Sequence, residues 1–324
     1  MPAIALKPIT HQRPEPWTAP DALALPAPIA EELEGLLGQL VSGTSHAEHA
    51  QRAQQLRHAI HHQLESGSGA IWLHSAALAQ ASREAFHHAF FEFCTLLGLP
   101  VSINKNGDVI KEVKDAGHKD SKLAPARGHM TNQELAFHSD RADITVLACW
   151  EAASHGGEFK ICSSAKLIEV LEKRNPDWIK WLTTPIPHDL RDEGSSGDSY
   201  CHLPILSESD DAFVLRYIRK FNDSAIRHGI ALPDEVKTML SEIDQVINHP
   251  DMSVQVSFEK GSIALVNNHT TLHSRTEFVD APGAERCLLR CWLASEFTRP
   301  LPEAFSTIFH TIQPGVLRGG VRPA

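Results

Sequence analysis

Between Arg286 and Leu293 the chain reads Arg-Cys-Leu-Leu-Arg-Cys-Trp-Leu. Side chains alternate faces along a β-strand. Arg286, Leu288, Arg290 and Trp292 therefore share one face, and Cys287, Leu289, Cys291 and Leu293 the other. A strand this apolar belongs inside a sheet protein. Guanidinium groups on such a strand are costly unless an anion meets them, and the strand holds no acidic residue. The pattern predicts a β-rich core around a polar cavity, where bound anions pair with arginine in its fork geometry. Arg286 and Arg290 stand about 13 Å apart at ~3.3 Å per residue, so two anions are expected rather than one.

The remaining composition narrows the partners. With 42% hydrophobic and 22% charged residues, the chain is of ordinary globular type and can bury a core without staples. A net charge of −10 argues against nucleic acid as a partner. No apolar run approaches about 20 residues, so no membrane span is expected. Cys94, Cys149, Cys162, Cys201, Cys287 and Cys291 form no CxxC pair and read as buried free thiols. With no signal-like start, a cytoplasmic location is expected. No pattern specifies an oligomeric state.

Residues 1–28 hold seven prolines and are expected to lie extended over the body or to be partly disordered. Leucines at spacings of three and four predict helices between Ile29 and Leu64. Ala70–Leu73 reads as a buried strand, and Ser75 as the cap of a helix to about Leu97, stopped by Gly98 and Pro100. Residues 101–130 read as short strands and a loop that covers a site. Phe137–Trp150 reads as one strand, and Glu158–Cys162 as another. Ser163 or Ser164 caps a helix to about Arg174. After Phe213–Tyr217 and a helix from Pro233 to Ile247, Val254–Phe258 and Ser262–Val266 read as a hairpin about Gly261. Helices in front and short strands behind predict a single domain over 29–324: a mainly β jelly-roll core with helices packed outside.

Within that core, His138-Ser139-Asp140 places an imidazole and a carboxylate two residues apart. On a strand they share a face, about 7 Å apart at ~3.3 Å per residue, and can share a metal. Far along the chain comes Asn267-Asn268-His269-Thr270-Thr271-Leu272-His273-Ser274-Arg275. His138, Asp140 and His273 would complete a facial triad of two histidines and a carboxylate, which leaves coordination sites open for a chelating co-substrate and O2. Among 20 histidines such a pattern also arises by chance; the arginine strand sets this one apart. His58 and His62, four apart on a helix, have chelating spacing but read as a solvated face beside Arg57 and His61. Arg141 and Asp143 read as a pair that orients the ligands or as a surface pair.

His138-x-Asp140, Gly156-Gly157-Glu158, Asn267-Asn268-His269-x-x-Leu272-His273-x-Arg275 and Arg286-x-x-x-Arg290-x-Trp292-Leu293 together resemble the taurine dioxygenase and clavaminate synthase-like branch of Fe(II)/2-oxoglutarate-dependent oxygenases, over roughly residues 70–295. The resemblance implies a double-stranded β-helix. It implies Fe(II) on His138, Asp140 and His273, with 2-oxoglutarate and O2 as co-substrates and Arg286 on the distal carboxylate of 2-oxoglutarate. Arg290 falls where relatives hold an acidic group of the substrate; Glu134 and Arg275 are further candidates for the substrate site, and Glu134 could equally face solvent. Family members carry Thr or Ser where this chain has Phe159, so either Ser163 or Ser164 substitutes or the co-substrate sits differently. Because Asp140 keeps the carboxylate that related halogenases lack, halogenation is disfavoured. The implied activity is oxidation of a small carboxylate-bearing molecule, an amino acid or biosynthetic intermediate first. Hydroxylation is the default outcome, with desaturation or ring closure on the same chemistry. A sulfonate or aryloxy-acid oxygenase is the rival within enzymes, and a non-catalytic jelly-roll sensor the rival outside them.

Overall fold

The computed structural model describes residues 7–44, 50–117, 131–191 and 198–323. Two antiparallel sheets make the core. The larger runs Ala70–His74, Ser262–Asn267, Ile144–Glu151, Cys287–Ala294, with Leu99–Val101 and Ile110–Val113 both paired to the last of these. The smaller runs Val254–Val256, Phe159–Ser163, Thr271–Arg275, Leu135–His138. This is the double-stranded β-helix that the sequence predicts.

Alternation along each strand sorts its side chains. Leu147, Cys149, Ala264, Val266 and Leu288 form one buried cluster with Phe159, Ile161 and Val254 of the other sheet. Their sequence neighbours Val146, Ala148, Ile263, Leu265, Leu289 and Leu293 pack instead with Leu33, Leu37, Ile60, Phe86 and Phe90. Those residues lie on the helices Ala27–Ser42, Ala50–Glu65 and Arg83–Leu97, which cover the larger sheet's outer face. The helices Ser164–Arg174 and Asp234–Ile247 cover the smaller sheet through Leu167, Ile168, Leu240 and Ile243 against Cys162 and Leu272. The described part of the proline-rich segment lies extended on the body. Arg13 grips Glu172 and Glu208, and Trp17 Nε1 donates to Ser68 O. Cysteines 94, 149, 162, 287 and 291 are buried thiols and Cys201 a partly buried one.

Four local expectations fail. Phe137–Trp150 is two strands, Leu135–His138 and Ile144–Glu151, in different sheets. Between them Ser139 N donates to Tyr217 O and Asp140 N to Asn268 Oδ1, outside the ladders, and Asp143 N donates to Leu293 O of the neighbouring strand. The hairpin about Gly261 is likewise a crossing. Val254–Val256 pairs with Phe159–Ile161, whereas Ser262–Asn267 pairs with Ala70–His74 and Ile144–Ala148. Gly261 has φ +92°, and a Cβ there would stand 2.5 Å from Ser75 O, so glycine is required where the chain changes sheets. The helix capped by Ser75 ends at Gln80, and Ser82 caps the longer one. His58 and His61 also face inward: His61 is fully buried, its Nε2 donates to Leu97 O, its Nδ1 lies 3.3 Å from Ser295 Oγ, and its ring stacks on Phe297. Part of the 101–130 loop (118–130) and residues 192–197 lie outside the described residues.

Candidate metal centre

His138 ends its strand and pairs directly with His273 on Thr271–Arg275, so the imidazole centroids lie 4.4 Å apart. Asp140 reaches them from the crossing, not from a strand. Its Oδ1 is 3.6 Å from His138 Nε2 and its Oδ2 3.7 Å from His273 Nε2. One ligand atom from each residue lies within 4.8 Å of the others, the one such group of three among the described residues. His138 Nδ1 lies 2.9 Å from Ala136 O. That contact fixes the tautomer with Nε2 left as the lone-pair nitrogen, as metal ligands require.

Asp140 is oriented from three sides. Thr145 Oγ1 and Trp292 Nε1 each donate to Oδ2 at 2.8 Å. Asn268 holds the Asp140 amide and donates through Nδ2 to Thr145 Oγ1. Burial opposes ionisation of Asp140, yet the adjacent His138, Arg290 and His273 hold its carboxyl well below the usual range. Burial, with His138 beside it, lowers His273 to about 3. The pocket therefore presents one carboxylate beside two imidazoles, a donor set suited to a borderline divalent metal. His273 Nδ1 is buried with no hydrogen-bond partner.

Beneath the centre, Asp143 is fully buried. It accepts from Arg318 Nε, lies 2.9 Å from His269 Nε2 and takes the Ser295 amide on its other oxygen. It belongs to this framework, while Arg141 lines the cavity beside the centre.

Arg286 is 2% exposed, and its NH1 has no partner. Its guanidinium lies 4.9 Å from the Phe278 ring centroid, where that of Arg275 lies at 4.8 Å. Burial lowers both to about 10, and the charge of Arg286 lowers Arg275 further. Arg275 NH2 donates to Thr131 O and Gln133 O, and its Nε has no partner. Gly157, φ +77°, lies against this pair; a Cβ there would stand 3.2 Å from Arg286 Nε. Phe159 pairs across the ladder with Arg275 and packs 5.5 Å from the His273 ring. The Ser163 hydroxyl is occupied as a helix cap to Lys166 N.

A cavity of about 300 Å³ opens beside the centre, lined by His138, Asp140, Arg290, Trp292 and, at its exposed rim, Glu134. Arg290 and Glu134 are thus where the sequence puts a substrate. Arg275 and Arg286 are not among the lining residues and form a separate cationic corner. Sequence reasoning missed Arg216 and His188, which also line the cavity. Arg216 carried a usable signal, a cation at the end of the apolar run Phe213-Val214-Leu215.

Residues 48–292 match the sequence family described as "Taurine catabolism dioxygenase TauD, TfdA family". The chain is 29% identical over 218 residues to FR-33289 synthase of Streptomyces rubellomurinus, covering 65% of this chain and 64% of that one. It is 30% identical over 172 residues to taurine hydroxylase-like protein SAT17 of Stachybotrys chartarum, covering 48% and 41%. It therefore spans less than two thirds of either relative's length. An asparagine oxygenase structure in complex with Fe(II), 2S,3S-3-hydroxyasparagine and succinate superposes with a TM-score of 0.61 at 19% identity, covering 84% of this chain and 92% of that one. The non-heme iron oxygenase OrfP in complex with Fe and alpha-ketoglutaric acid superposes with a TM-score of 0.56 at 16% identity, covering 83% and 93%. These two likenesses concern the fold.

Proposed function

The chain belongs to the taurine catabolism dioxygenase TauD, TfdA family, and from that premise we propose that it is an Fe(II)- and 2-oxoglutarate-dependent oxygenase of a small carboxylate-bearing molecule. The observation that carries the reading is the convergence of His138, Asp140 and His273 within 4.8 Å beside a cavity of substrate size. An amino acid or biosynthetic intermediate is the favoured class, in keeping with the asparagine oxygenase fold likeness.

His138 Nε2, one oxygen of Asp140 and His273 would hold Fe(II) on one face. When bound, Fe(II) with 2-oxoglutarate supplies O2 activation: one oxygen atom enters the substrate C–H bond, and 2-oxoglutarate leaves as succinate and CO2. Arg286 supplies the partner for the distal carboxylate of 2-oxoglutarate through its unsatisfied NH1. Arg275, opposite Phe159 in the ladder, takes over the role of the missing hydroxyl; this moves it from the substrate to the co-substrate. Thr145, Trp292 and Asn268 keep Asp140 aimed. Arg290 orients the substrate's anionic group, and Glu134 stands at the entrance.

Purified protein supplied with Fe(II), ascorbate and a panel of amino and other small acids should form succinate from 2-oxoglutarate, and His138→Ala should stop it. A wild-type protein that binds no Fe(II) and forms no succinate with any acid would overturn the oxygenase reading.

A further inference from the structure

The cavity has a second cationic wall, apart from Arg290 and remote in sequence from the motifs. Arg216 follows the strand Phe213–Leu215 and is 5% exposed. Its NH1 donates to the backbone carbonyl of Asp140 at 3.1 Å, its guanidinium carbon lies 5.7 Å from the Phe309 centroid, and its Nε has no partner. Arg141, 9% exposed, lines the same cavity and is near enough to act on the charge of Arg216. His188, 5% exposed, lies between their fields. Burial, Arg216 and Arg141 keep its imidazole neutral, so it offers a polar atom without adding charge.

Two of the three lining carboxylates are committed elsewhere, and the third, Glu134, stands exposed at the rim. Asp140 faces the histidines, Thr145 and Trp292. Asp189 is taken by Ser224, Arg227, His228 and the Arg191 amide. Among the described residues no carboxylate hydrogen-bonds Arg216. A guanidinium buried with only carbonyl acceptors costs free energy that a bound oxyanion returns.

We propose that Arg216 and Arg141 form an oxyanion subsite for the substrate, and that with Arg290 they select a doubly charged anionic group over a singly charged one. This rests on the oxygenase reading for the word substrate; the subsite itself is testable without it. One guanidinium satisfies a monoanion through a single fork. Two guanidiniums converging on one cavity, with a neutral donor beside them, match a group with two charges and three or more oxygens, or two neighbouring carboxylates.

Sulfate and methanesulfonate are matched probes: both are tetrahedral sulfur oxyanions, and they differ in charge. Calorimetric titration is run anaerobically on protein loaded with Fe(II) and 2-oxoglutarate, and again on metal-free protein. Sulfate should bind at least tenfold tighter than methanesulfonate in both. Arg216→Gln should raise the sulfate Kd tenfold or more, Arg216→Lys less. Arg286→Ala should leave it in place, and the charge-transfer absorption of Fe(II)-bound 2-oxoglutarate should survive Arg216→Gln. Equal affinity for the two probes, an unchanged Kd in Arg216→Gln, or loss of the charge-transfer band in that variant would each overturn the subsite. Failure of the wild type to show that band would sink the oxygenase reading, while the metal-free titration still decides the subsite. With substrates in hand, phosphate-type and dicarboxylate acids form the arms that separate the two sources of double charge.

Discussion

Arg275 and Arg286 rest on the same aromatic ring, their guanidinium carbons 4.8 and 4.9 Å from the centroid of Phe278. Two buried cations so placed repel each other, and burial already lowers each to about 10. The ring's quadrupole offsets part of this, on the order of 0.5–2 kcal/mol per cation. The rest is left for an anion. Arg286→Ala should weaken 2-oxoglutarate binding by about 100-fold and Arg275→Ala by about tenfold, from ~1.5–3 kcal/mol per charge-assisted hydrogen bond. Fe(II) affinity should change little in either, as read by metal titration beside the charge-transfer absorption. Equal loss of metal and co-substrate would instead mark a folding defect.

The metal itself depends on Asp140, whose Oδ2 takes hydrogen bonds from Thr145 and Trp292 at 2.8 Å. Trp292→Phe keeps the packing and removes one donor. Loss of such an orienting partner typically costs about 10–100-fold in metal affinity. Asp140→Ala should cost more than Trp292→Phe, and Thr145→Val should resemble Trp292→Phe. Anaerobic Fe(II) titration measures all three; an unchanged affinity in Trp292→Phe would remove the indole from the site's machinery.

These contacts divide what the sequence could and could not disclose. Arg286 and Arg290 were visible because strand alternation is local, and a cation on an apolar strand is conspicuous. His138, Asp140 and His273 were visible as residue types at a familiar spacing, although the reason for the chelate was misread: Asp140 joins His138 through a crossing between sheets, not along a strand. Trp292 and Asp140 are 152 residues apart and Arg318 and Asp143 are 175 apart. Such pairs exist only once the ladder brings the ends together, and no periodicity marks them. The same holds for Arg216, whose meaning comes from the Asp140 carbonyl it meets.

Buried histidines make the fold sensitive to acid. Burial, partly offset by the hydrogen bond to Leu97 O, lowers His61 from 6.5 to about 4; burial likewise lowers His269 to about 4 despite Asp143. The unfolded chain takes up protons below pH 6.5 that the folded chain refuses until about pH 4. Stability is therefore full above pH 6.5, falls as pH drops from 6.5 to 4, and levels off below that on account of these groups. Denaturant midpoints of the metal-free protein across this range should show the decline. His61→Phe should reduce its slope by about one proton, whatever its effect on absolute stability.

The arm bearing His273 is tied to the front helices by one buried ion pair. Glu65 ends the helix Ala50–Glu65, and its Oε2 takes Arg299 Nε and NH2 at 3.1 and 2.9 Å, both residues being fully buried. Glu65 Oε1 accepts from Asn267 Nδ2, and the Asn267 side-chain oxygen accepts the His269 amide, two steps before the strand that carries His273. Burial raises the Glu65 carboxyl while Arg299 opposes that rise. Removing one partner leaves the other charge buried alone, a cost of about 3–5 kcal/mol, whereas an apolar pair of similar volume is often neutral. Glu65→Gln should therefore lower the denaturation free energy by several kcal/mol, by about 3 or more on this scale, and Glu65→Met with Arg299→Met should recover a large part of it. Because the double variant removes one of the two acceptors of Asn267 Nδ2, Glu65 Oε1, and leaves only Leu64 O, Fe(II) affinity should fall there even where stability returns. Recovery of stability and metal binding together would confine the ion pair to a purely structural role.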